Sequence, residues 1–120
     1  MTLDDYNAFC GSLQHATHVV QWGGAHVWKV GSKVFAIGGW QEEGADPFVT
    51  FKCSRMSFDL LKEQPGCRPA PYLASRGLLW IQCTGHDSLT RDDLVAYVRE
   101  SYRLVALGLT KRLRRELGLE

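Results

Sequence analysis

The residues of this chain that could do chemistry are dispersed, and none falls into a catalytic signature. Cys10, Cys53, Cys67 and Cys83 are widely separated and never form Cys-x-x-Cys. A zinc centre normally draws on such pairs, and His15, His18, His26 and His86 add no metal-ligand spacing to them. The thiols are therefore expected to be small buried hydrophobes, kept reduced in a cytoplasmic protein. Cys53 and Cys83 lie in apolar stretches, where a thiol is inert. Ser101-Tyr102 falls in mid-helix, with Tyr102 on an apolar stripe, so it offers no nucleophile with a base. The Gly-x-Ser-x-Gly elbow, the His-Glu-x-x-His helix, the P-loop and the Gly-x-Gly-x-x-Gly turn are all missing from the sequence. The class this leaves is a non-enzymatic binding module with no cofactor and no metal.

Binding chemistry has more to work with. Lys29, Lys33 and Lys52 fall on or beside a hairpin, and Arg55, Arg68 and Arg76 surround a short helix and a Pro-rich segment. Cations of this kind neutralise phosphates, while Trp40, Tyr72 and Trp80 supply flat faces for a groove or for stacking. The net charge of +1 gives no global drive toward nucleic acid, so any attraction must be local. The alternative is that these cations solubilise the surface and the aromatic rings close a core. A second binding reading places a protein or small ligand on an open sheet face around Phe48, Thr50, Trp80 and Gln82. Arg68-Pro69-Ala70-Pro71-Tyr72-Leu73 then serves as a stiff crossing or as one wall of a groove.

The elements that must hold these residues follow from pattern. Gly31-Ser32 fits a two-residue hairpin turn between alternating runs, which pairs Trp28 with Phe35 and His26 with Ile37. Strict alternation puts Trp28, Val30, Phe35 and Ile37 on a core face, and Val27, Lys29, Val34 and Ala36 on the other. A further strand at 48–53 turns Val49, Phe51 and Cys53 inward, leaving Phe48, Thr50 and Lys52 opposite. Leu78 to Cys83 reads as the last strand. Thr2, Ser54 and Thr90 are helix caps for segments 3–14, 55–63 and 91–109. The basic end, 110–120, is a short helix or a solvated tail carrying Lys111, Arg112, Arg114 and Arg115. At 120 residues this is one domain, and hairpin-linked strands with helices gathered on one face make it α+β. No apolar run approaches the ~20 residues of a membrane span, and 1–9 lacks a signal-peptide pattern, so neither a membrane nor a secretory role is expected.

Trp22-Gly23-Gly24, the hairpin from Val27 to Ala36, Phe51-Lys52-Cys53, the segment 68–74, Trp80 and Ser101-Tyr102-Arg103-Leu104-Val105 together resemble the MmcQ/YjbR family, in the family's order over nearly the whole chain. The resemblance implies a frataxin-like (CyaY-like) fold, an antiparallel sheet with N- and C-terminal helices. It also implies contact with double-stranded DNA through hairpin wings. Frataxin's iron-binding ridge has no counterpart here: the first helix holds only Asp4 and Asp5, and Glu42, Glu43 and Asp46 lie in one loop. A monomer is expected.

Overall fold

The computed structural model describes residues 1–71, 73, 76–84 and 88–119. Helix α1 (Leu3–Ser12) leads into β1 (Ala16–Gln21), β2 (Ala25–Val30), β3 (Lys33–Gly39) and β4 (Phe48–Lys52). Helix α2 (Arg55–Leu61), β5 (Cys67–Pro69), β6 (Trp80–Cys83), α3 (Arg91–Leu107) and α4 (Lys111–Leu117) follow. The strands form one six-stranded sheet in the order β1-β2-β3-β4-β6-β5, and every neighbouring pair is antiparallel. The α+β architecture read from the sequence is the one observed.

The helix starts are chemical. The Thr2, Ser54 and Thr90 hydroxyls accept the amides of Asp5, Ser57 and Asp93, each satisfying a donor that the first turn leaves orphaned. Helices α1 and α3 cover one face of the sheet, where Tyr6, Cys10, Leu94, Val98 and Val105 pack on Trp28, Phe35, Phe51 and Ile81. The basic end is a folded helix rather than a loose tail. Thr110 caps it, Gly118 closes it in the left-handed conformation, and Leu109 and Leu113 pack under the hairpin turn at Gly31.

Gly31 and Ser32 both have positive φ, 56° and 68°, as a type I′ turn requires. The pairing after that turn departs from simple alternation. Lys29 faces Val34 but Trp28 faces Ala36, so Phe35 is an extra residue, a β-bulge. Phe35 and Ala36 both turn to the helices, and Ile37 is transferred to the opposite face with Val27 and Val34. The predicted faces of Ala36 and Ile37 are thus exchanged, because alternation cannot register a bulge.

The Pro-rich segment also differs from expectation. Cys67–Pro69 is a short edge strand rather than a bare crossing. Pro69 is tolerated because β5 lies at the sheet edge.

Candidate functional site: a groove on the uncovered sheet face

No described helix packs on the second face of the sheet in the region where a groove of about 920 Å³ lies. Its floor is a row of directly opposed residues running across the strands. Ile37 faces Thr50, Thr50 faces Gln82, and Gln82 faces Arg68. The row therefore passes from hydrocarbon on β3 to hydroxyl, amide and guanidinium on β4, β6 and β5.

The two central polar groups are deeply placed. Thr50 and Gln82 are each only 2% exposed. Gln82 Oε1 accepts from Arg68 Nε at 2.8 Å and from Arg68 Nη2 at 2.5 Å. Thr50 Oγ1 is buried with no hydrogen-bond partner among the described residues. A buried hydroxyl left unpaired costs roughly 1–3 kcal/mol, so this group is a cost to the fold.

The walls are apolar. Trp22 and Trp40 form one rim, exposed by 54% and 44%, with the Trp40 indole Nε1 donating to the Trp22 carbonyl at 2.7 Å. Both adopt positive φ, 53° and 63°, a conformation uncommon for bulky residues. Phe48 and Trp80 lie along the sides, and Ala70, Pro71, Leu73 and Leu78 close the β5–β6 end.

The sequence-predicted residues distribute unevenly around this groove. Lys33, Arg68, Trp40 and Trp80 line it. Lys29 and Lys52 share its face by register but do not line it. Arg55 lies on α2, paired with Asp59, and exposed Arg76 is outside the groove. Tyr72 lies outside the described residues. Phe48, Thr50, Trp80 and Gln82, named for the open face, are brought together as expected.

Trp22, Val34 and Ile37 were missed as groove residues. A Trp before Gly-Gly signals the turn in which Trp22 sits, whereas the transfer of Ile37 depends on the bulge.

The thiols offer little for catalysis. Burial pushes Cys10 up to about 12 and Cys53 up to about 11. Cys67 and Cys83 are directly opposed on β5 and β6, with Sγ atoms 3.1 Å apart on the helix-covered side. Cys83 is raised by the shared hydrogen bond and burial, and Cys67 is lowered as the other partner of that bond. Among the described residues no group of three or more His, Cys, Asp or Glu could hold a metal ion.

An open antiparallel sheet with helices on one face and an aromatic groove on the other defines the class of this molecule, α+β with one uncovered sheet surface. Its family is shown by the YjbR family model, which matches residues 11–104: the chain belongs to the YjbR family. The fold is similar to that of Deinococcus radiodurans protein DR2400, described as carrying a DUF419 domain, with a TM-score of 0.82 and 24% identity. That likeness covers 99% of this chain and 89% of the other. No curated protein matches the chain. Among the described residues no helix is long and apolar enough to cross a membrane.

Proposed function

We propose that this protein is a cytoplasmic, non-enzymatic binding module whose open sheet face takes a small, largely apolar molecule into the groove. The observation that carries the reading is Thr50, whose buried, unpartnered hydroxyl sits in the floor of an aromatic-walled groove. Ligand sites commonly occupy about 300–1,000 Å³ and combine apolar walls with a few placed polar groups. A groove of about 920 Å³ with Thr50, Gln82 and Arg68 in its floor fits that description.

The test uses N-phenyl-1-naphthylamine, a neutral probe that fluoresces in apolar surroundings. Saturable enhancement with quenching of tryptophan emission is expected. The double variant W22A/W40A should weaken binding about tenfold or more, since one stacked ring contributes about 1–3 kcal/mol, with its circular dichroism unchanged. Absence of a saturable signal, or equal affinity in the variant, overturns the reading.

Duplex DNA is the second reading. Lys29, Lys52 and Arg68 share one face and Lys33 lines the groove from the hairpin end, which supports it. The apolar lining between them, and the separation of Arg55 and Arg76 from that face, weigh against it. Phosphate contacts would appear as retardation at low salt, with log affinity falling against log salt in proportion to their number. Charge reversal at Lys29, Lys33 and Lys52 would then abolish it.

A further inference from the structure

We infer that the groove's occupant is an amphipathic anion, a flat apolar ring system bearing one acidic group, with the acid at Arg68 and the rings toward Ile37 and Val34. The inference rests on the groove reading and adds to it the chemical class of the ligand. Three observations carry it.

The floor is graded. Across the strands it changes from Ile37, beside Val34, to Thr50, Gln82 and Arg68, so one end accepts hydrocarbon and the other accepts charge. A molecule polar at both ends or at neither leaves one half of the row unmatched.

The charge is of one sign. Lys33 and Arg68 line the groove, and no Asp or Glu among the described residues does. Neither cation takes part in an ion pair among the described residues. Arg68 is held by Gln82, a neutral amide, so its position is fixed while its charge is left uncompensated. A guanidinium oriented in this way suits the planar geometry of a carboxylate.

The third observation concerns count. Lys33 stands on β3 and Arg68 on β5, three strand spacings apart in the order β3-β4-β6-β5. At about 4.8 Å per spacing the two backbones are roughly 14 Å apart across the strands, and Lys33 also lies four residues along β3 from Ile37, the residue in register with Arg68, so the two cations stand at separate ends of the groove. Arg68 is the group that reads the acid. Lys33 contributes field at the far rim.

Two probes with the same ring system separate this inference from the reading beneath it. 8-Anilinonaphthalene-1-sulfonate is an anion, and N-phenyl-1-naphthylamine is its neutral relative. The folded protein should bind the sulfonate more tightly, and R68Q should weaken the sulfonate about tenfold more than it weakens the neutral probe. R68K should keep part of the preference, and K33Q should change it less than R68Q. Equal affinity for both probes, an R68Q effect of the same size on both, or saturable binding of the neutral probe without the sulfonate overturns the anion inference and leaves the groove standing. Failure of the neutral probe to bind saturably overturns the groove reading and this inference with it.

Discussion

The Ser101 hydroxyl donates to the Phe35 carbonyl at 2.6 Å and accepts the Lys52 amide at 2.9 Å, so one side chain from mid-α3 joins the bulge of β3 to the end of β4. The β3–β4 ladder runs from Gly39↔Phe48 to Ala36↔Phe51 and stops where Phe35 is left over. Ser101 stands where the next ladder bonds would be, and it is fully buried. A serine in the interior of a helix commonly bonds its own backbone; this one completes the sheet.

The variant S101A removes a partner from two backbone groups at once. At roughly 1–3 kcal/mol for each unsatisfied buried group, a loss of about 2–6 kcal/mol is expected. Urea denaturation would read it as a lower midpoint with an unchanged slope. A loss under about 0.5 kcal/mol would mean that water or a backbone shift replaces the hydroxyl.

Thr50 should behave in the opposite sense. Its hydroxyl is buried and unpartnered, and Ile37 and Gln82 flank it on neighbouring strands. T50V keeps the shape and discards the unmet hydrogen bond, so the ligand-free protein should gain about 1 kcal/mol. A shift of that size to higher denaturant in the absence of ligand is the expected readout. Destabilisation would show that the hydroxyl has a partner within the fold.

Gly38 is another position where a single methyl group decides the outcome. A Cβ there would lie 2.5 Å from Cε2 of Tyr6, whose hydroxyl donates to the His26 carbonyl at 2.9 Å. G38A therefore displaces a buried ring and should cost about 1–3 kcal/mol, the usual range for overpacking. Thermal unfolding measures this directly.

His18 carries a pH dependence. Its ring stacks on Trp28 and on His26, and its Nε2 lies 3.0 Å from His26 Nδ1, which also faces Asn7 Nδ2. Burial against these rings, and then the proximity of His26, hold the His18 pKa below its ordinary value. The unfolded chain thus binds this proton more readily than the folded one. Its contribution is fully present above about pH 6.5 and is lost as pH falls through the lower, folded-state value. H18Q should flatten the stability profile below pH 6.5, and a profile identical to that of the parent protein would contradict the assignment.

Oxidation gives a test of the cysteine geometry. Diamide should join Cys67 and Cys83, whose thiols already touch, with loss of two hydrogens and reduction of the diamide to its hydrazine. Peptide mapping should find that link and none involving Cys10 or Cys53. Those two thiols, raised to about 12 and about 11, should alkylate slowly at neutral pH until the protein unfolds.

Much of this architecture was legible because local chemistry determines it. The Thr2, Ser54 and Thr90 caps, the Gly31-Ser32 turn and the inward set Val49, Phe51 and Cys53 all follow from residue type and period. The open-face set Phe48, Thr50, Trp80 and Gln82 was legible for the same reason. Ile37 was not, because the bulge at Phe35 is stabilised by Ser101, 66 residues away in sequence. The Cys67–Cys83 contact likewise depends on β6 inserting between β4 and β5, a non-local choice that leaves no mark in spacing.

Mapping the neutral probe by amide and indole NMR shifts tests the central claim most directly. The account predicts shifts at Ile37, Thr50 and Gln82 and at the indoles of Trp22, Trp40 and Trp80, which line the groove, with Trp28 on the helix-covered face unmoved. Shifts confined to Trp28 and the helix-covered core, or none at saturating probe, would contradict it.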